Sequence, residues 1–161
     1  MSRMIKVGMA DLNICKNPDA ITTLGLGSCI GIAIYDPVTK IGGLAHIMLP
    51  DSTKIRNNSN IAKFADTGIT ELVNRMVRAG AVRSRMVAKI AGGAKMFEVT
   101  GADIIGNIGL KNAMASKKKL KELGIRLIAE DTGLNYGRTV ELHCDTGEYY
   151  IKSVGKKLKI I

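Results

Sequence analysis

The sequence predicts a mixed α/β fold: one domain, a layered α/β sandwich in which helices cover an apolar sheet. Short β-rich apolar stretches stand at both ends of the chain, and two segments of helical periodicity lie between them. The length of 161 residues and a hydrophobic content of 46% suit a single core. Eighteen glycines against three prolines fit short elements joined by tight turns.

Residues 5–9 alternate apolar positions and predict a first strand. Residues 29–35 form a short apolar run, and residues 41–49 resemble it after the Asp36-Pro37 turn, which predicts a hairpin. Across residues 60–79, Ile61, Phe64, Ala65, Ile69, Leu72, Val73, Met76 and Val77 fall mostly on one helical face, with Gly80 as the stop. Residues 85–91 read as a buried strand ending at Gly92-Gly93. A lysine-laden helix follows over 112–123, stopped by Gly124, and then a strand over 125–129. Two last strands, 138–144 and 148–153, are joined by an Asp145-Thr146-Gly147 turn. No linker or internal repeat interrupts this order.

Composition narrows the function. No stretch approaches the ~20 apolar residues of a membrane span, and the first ten residues lack a secretory pattern, so a cytoplasmic protein is expected. Three cysteines without a CxxC pair fit a reduced compartment. A net charge of +10 favours an acidic partner. Nucleic acid is disfavoured, because no Trp, two Phe and four Tyr leave no basic stretch with stacking aromatics. The lysines at 117, 118, 119 and 121, with the tail Lys156, Lys157 and Lys159, are either a solvated face or a docking surface for an acidic helix.

The chemistry-bearing candidate is Cys29, which follows Gly25-Leu26-Gly27-Ser28. Glycines there can bend the backbone and aim N–H groups at an oxyanion beside the sulfur, with Gly27 and Ser28 as the supporting turn. The bland alternative is a small buried hydrophobe beginning a strand. A reactive thiol needs a base, and the chain offers two histidines. His46 interrupts an apolar strand in the hairpin arm adjoining Cys29, so it is either that base or a core histidine satisfied by a carbonyl. His143 shares a polar strand face with Glu141 and Asp145 and is read as surface, with Cys144 as core. Cys15, in a polar turn at the apparent end of the first strand and without a nearby histidine, carries no role. Scattered Cys and His without CxxC or HxxxH spacing argue against metal. The glycine clusters match neither a dinucleotide fingerprint nor a P-loop, and no cofactor is expected.

The segments ThrLeuGlyLeuGlySerCys and GlyGlyLeuAlaHisIleMetLeuPro together resemble the CheD family of chemoreceptor glutamine deamidases. The resemblance continues through Ala91-Gly92-Gly93-Ala94-Lys95-Met96-Phe97, Ile105-Gly106-Asn107-Ile108-Gly109, Gly137-Arg138 and Thr146-Gly147. It implies a protein-glutamine glutaminase with a catalytic set of Cys29, His46 and Thr23. Thr23 would accept the other ring N–H of His46. Methylated receptor glutamates are chemically open as second substrates. The resemblance further implies chemotaxis receptors and a CheC-type response-regulator phosphatase as partners, and a fold like the deamidating domain of cytotoxic necrotizing factors. A non-catalytic adaptor binding receptors and the phosphatase is the alternative.

Overall fold

The computed structural model describes residues 2–96 and 107–161. Phe97, Ile105 and Gly106, which contribute to the motifs above, lie outside the described residues. The strands in chain order are β1 (Met4–Val7), β2 (Asp11–Lys16), β3 (Ala20–Leu26), β4 (Ile30–Asp36) and β5 (Ile41–Ile47). Helix α1 (Ala65–Arg78), β6 (Val87–Gly92) and helix α2 (Ile108–Glu122) follow. The chain closes with β7 (Arg126–Thr132), β8 (Arg138–His143), β9 (Tyr149–Lys152) and β10 (Lys159–Ile160).

Two five-stranded sheets result, ordered β1-β3-β8-β9-β10 and β2-β5-β4-β6-β7. The mixed α/β layering expected from the sequence is therefore present, with the sheets face to face and the helices on the second sheet. Strand alternation builds both interfaces from β4 and β5. Ile30, Ile32 and Ile34 point toward α1, where Ile69, Leu72 and Met76 meet them. Ala33, Tyr35 and Leu44 point the other way, onto Ile21, Val140, Leu142 and Tyr149 of the first sheet. Because β4 and β5 are covered on both faces, they read as continuous apolar runs.

Three differences from the sequence reading have physical causes. Strand β2 is amphipathic, with exposed Asp11, Asn13 and Lys16 alternating with buried Leu12 and Cys15, and its polar half conceals it. The stretch around Thr22 and Thr23 is a strand, β3, and the turn is confined to residues 27–29. The first helix begins at Ala65 because Ile61–Lys63 form a separate short 3-10 turn, capped by Asn60 Oδ1 accepting from the Ala62 N–H at 3.1 Å. Among the described residues, no helix is long and apolar enough to cross a membrane.

An ion pair between buried Asp36 and half-buried Arg85 pins the helical side of the second sheet. Asp36, fully buried at the end of β4, accepts from Arg85 Nη2 at 3.0 Å and from the Val82 N–H at 2.8 Å. Burial would push its carboxyl up, but these hydrogen bonds and those from Val38 and Thr39 hold it well below the ordinary 3.8. A carboxyl lowered in the folded state stabilises fully above its ordinary value and loses that contribution as pH falls toward the folded value. Asp36→Ala is expected to cost about 3 kcal/mol at neutral pH, read from urea midpoints, with a difference from wild type that shrinks in acid.

Candidate active site

Thr23 and His46 come from facing sheets. Thr23 lies on β3, between β1 and β8, and His46 on β5 of the second sheet. Each is 1% exposed, and the Thr23 Oγ1 lies 2.7 Å from His46 Nδ1. The same hydroxyl donates to the Val7 carbonyl at 2.8 Å. A threonine has a single hydroxyl proton, so with that proton on Val7 the contact to the ring requires Nδ1–H to donate to Oγ1. This chain of bonds selects the tautomer and leaves Nε2 unprotonated, a free base. His46 Nε2 is buried and has no hydrogen-bond partner among the described residues.

Cys29 stands on the same face. The β4–β5 register pairs Gly31 with His46, and alternation puts position 29 on the side of Gly31. Cys29 is thus the diagonal neighbour of His46, at the ~7–8 Å backbone spacing across which side chains can meet. Gly31 adds no side chain between the two strands, and a Cβ there would collide with the Tyr149 hydroxyl, 2.7 Å away. Cys29 is 8% exposed, so it borders the surface while His46 and Thr23 lie behind it.

The turn that presents Cys29 is held by its carbonyls. Gly27 O accepts from the Ala94 N–H at 2.9 Å, and Cys29 O accepts from the Gly93 N–H at 2.8 Å. Ser28 O accepts from Asn112 Nδ2 at 2.9 Å, and the same amide donates to Met48 O at 2.9 Å. The N–H of Gly27 is spent on Gly25 O at 3.1 Å, while those of Ser28 and Cys29 donate to no backbone carbonyl among the described residues.

Glycines 92 and 93 make this close approach possible. Gly92 has φ +111, and a Cβ on it would strike the Cys29 carbonyl; Gly93 has φ +66 and faces the Gly109 carbonyl at the start of α2. Gly92→Ala is expected to displace the Cys29 turn, costing about 2 kcal/mol of stability and most of the activity; thermal midpoints and turnover measured together check it.

Burial sets the resting protonation. It pushes the Cys29 thiol above its ordinary 9.0 and pulls His46 below its ordinary 6.5. At neutral pH the pair is therefore a thiol and a neutral imidazole. An ion pair of thiolate and imidazolium is disfavoured in so dry a setting.

The other sequence candidates fall elsewhere. His143 Nε2 lies 3.0 Å from Glu141 Oε1, and the ring packs on Tyr150 at 4.2 Å, away from Cys29 on the outer face of β8. Cys144 is fully buried, and Cys15 is buried beside it rather than in a polar turn. No cluster able to hold a metal occurs among the described residues. Lys117 and Lys119 pair with Glu130 and Glu122, and Lys159 with Asp131, so part of the lysine face is neutralised within the chain.

Sequence reasoning missed Asn112, whose buried amide ties the Cys29 turn to the end of the His46 strand. Its spacing with Gly109, Ala113, Ser116 and Leu120 marks the buried stripe of α2, and a polar residue on that stripe was the available signal. Arg138, named above only as part of the Gly137-Arg138 motif and without a role, is 2% exposed; its Nη1 donates to Gly133 O at 3.1 Å and Tyr136 O at 3.3 Å while its Nε donates to Asp131 at 3.3 Å. Arg138 thereby braces the loop beside Gly92.

Residues 48–153 match the family model described as CheD chemotactic sensory transduction. A Lachnoclostridium phytofermentans protein named "Probable chemoreceptor glutamine deamidase CheD" is 60% identical over the full length of both chains. Proteins of the same name from Caldanaerobacter subterraneus and Clostridium botulinum are 51% identical over 99% of both chains and 54% identical over 98% of this chain and 97% of theirs. These relatives extend across the residues before position 48, where Thr23, Cys29 and His46 lie. Among solved structures, a Neisseria meningitidis protein of the DUF152 family superposes with a TM-score of 0.51 at 11% identity, over 81% of this chain and 64% of its own. The Bacillus licheniformis hypothetical protein YfiH gives 0.50 at 16%, over 83% and 60%. At such identities these two speak for the fold alone. With a family model covering most of its length and relatives matching it end to end, this chain belongs to the CheD family.

Proposed function

We propose that this chain deamidates glutamine side chains of chemotaxis receptors to glutamate, releasing ammonia, with Cys29 as nucleophile. The observation that carries this reading is the Val7–Thr23–His46 chain of hydrogen bonds, which leaves a bare Nε2 on the face that bears the thiol. The names of the full-length relatives support the substrate.

His46 Nε2 takes the Cys29 proton as the sulfur attacks the carboxamide carbon. The N–H groups of Ser28 and Cys29 face the developing oxyanion. The imidazolium, its Nδ1–H still on Thr23, returns the proton to the leaving nitrogen, and ammonia departs. Water activated by the same Nε2 then hydrolyses the thioester. A glutamate methyl ester could enter the same route, with methanol leaving instead.

An apolar groove of about 470 Å³ is lined by Leu49, Pro50, Ile55, Ile108 and Met114, with Lys54, Lys111 and Asp51 as its charged residues. It suits the apolar face of a receptor helix carrying acidic neighbours. A CheC-type phosphatase is a further partner in this reading, and the cytoplasm is its expected setting.

Mass spectrometry of a receptor cytoplasmic fragment after incubation tests the function. The wild type should produce the mass gain of amide-to-acid conversion at specific glutamines, and Cys29→Ala none. Unaltered conversion by Cys29→Ala would remove the nucleophile from the account. Receptor binding without any conversion by the wild type would favour the adaptor.

A further inference from the structure

Cys15 and Cys144 have no part in the mechanism above, yet their sulfurs lie 2.7 Å apart. They belong to different sheets. Cys15 sits on β2, opposite Gly42 of the strand that carries His46. Cys144 follows β8, whose His143 stands opposite Ala20 of the strand that carries Thr23. Gly42 makes the meeting possible, because a Cβ there would stand 2.8 Å from the Cys144 sulfur. The Cys144 backbone is fixed as well: its carbonyl accepts from the Tyr35 hydroxyl at 2.7 Å, and its N–H donates to Asp19 O at 3.1 Å.

We infer that Cys15 and Cys144 are a dithiol modification site that closes to a disulfide when the protein meets a hydroperoxide, joining the two sheets covalently. The pair needs little backbone motion to bond, since the fold already holds the sulfurs in contact. Access is one-sided: Cys15 lines a surface groove of about 300 Å³ with Arg3, Lys16 and Asp19, whereas Cys144 is fully buried. Cys15 is therefore the first to react. Its thiolate attacks one peroxide oxygen, the O–O bond breaks, and the departing alkoxide or hydroxide carries off the thiol proton equivalent as alcohol or water. The Cys144 sulfur then displaces hydroxide from the Cys15 sulfenic acid, giving the S–S bond and water. Two thiols are oxidised by two electrons, and the peroxide is reduced by the same two.

The neighbouring sulfur and burial both push the Cys15 thiol upward, so its thiolate is scarce at neutral pH. Closure is accordingly slow and accelerates with pH. It is a response to sustained oxidant rather than to a brief pulse. The link closes a loop spanning 129 positions, long enough to restrict the unfolded chain strongly.

The test uses the full chain with Cys29→Ser, so its outcome is independent of the deamidation mechanism. The protein is incubated with hydrogen peroxide, denatured, alkylated and mapped by mass spectrometry without reduction. The expected result is a cross-linked pair of peptides containing Cys15 and Cys144, abolished by dithiothreitol and by Cys15→Ala. The thermal midpoint should rise by roughly 10 °C on oxidation and fall back on reduction. Full alkylation of both cysteines after prolonged oxidation would overturn the inference. So would Cys15 stopping at the sulfinic acid, or a linked protein with an unchanged midpoint.

Discussion

His46→Ala is expected to lower receptor deamidation by about 10³-fold or more, while His143→Ala leaves turnover at the wild-type level. The asymmetry follows from placement. Removing His46 deletes the acceptor for a thiol that burial holds protonated, and no other basic side chain shares that face of β4 and β5. His143 meets Glu141 and Tyr150 on the far side of the first sheet. Circular dichroism spectra of both variants should match wild type, since among the described residues the His46 ring hydrogen-bonds to Thr23 alone. Initial rates of ammonia release on a receptor fragment decide the matter; equal losses in the two variants would show that neither histidine acts as assigned.

Thr23→Val carries the second large effect. It keeps the shape of the side chain and removes the acceptor for Nδ1–H, so the imidazole loses both its fixed tautomer and its orientation. Turnover should fall by roughly 10- to 100-fold, the range for losing a partner that orients an imidazole, with little change in KM. Thr23→Ser restores the hydroxyl and should restore the rate. The acid side of the rate profile sharpens the reading. Burial lowers the His46 value below 6.5, so its base form persists into mild acid, and the midpoint of that limb should lie below 6.5 in the wild type. A merely structural threonine would change stability without separating valine from serine in rate.

Much of this was legible in the chain. Strands β4 and β5 and helix α1 are long, apolar and strongly periodic, so their existence and the hairpin that brings His46 beside Cys29 could be read directly. The motif resemblance named Thr23, which spacing alone could not, because its contact to His46 crosses from one sheet to the other. Strand β2 was hidden by its polar outer face, and with it the meeting of Cys15 and Cys144, a pair separated by most of the chain. Asn112 escaped because its role depends on two backbone carbonyls, Ser28 and Met48, brought together only by the fold. Local patterns report burial well; they do not report which buried atoms from distant strands will touch.

Four glycines leave no room for a side chain. Gly92 and Gly93 lie against the Cys29 carbonyl and the start of α2, and Gly31 and Gly42 make room for Tyr149 and Cys144 between the sheets. These positions serve the geometry of the thiol turn and of the sheet interface rather than chain flexibility.

In the proposed mechanism Cys29 forms a thioester with the receptor glutamine. Incubating the enzyme and a receptor fragment with hydroxylamine tests it most directly, because this nucleophile intercepts an acyl-enzyme and leaves a hydroxamate in place of the carboxylate. Wild type should yield γ-glutamyl hydroxamate at the residues it otherwise converts to glutamate, and Cys29→Ala should yield neither product. Glutamate formed without hydroxamate, or hydroxamate formed by Cys29→Ala, would contradict the account.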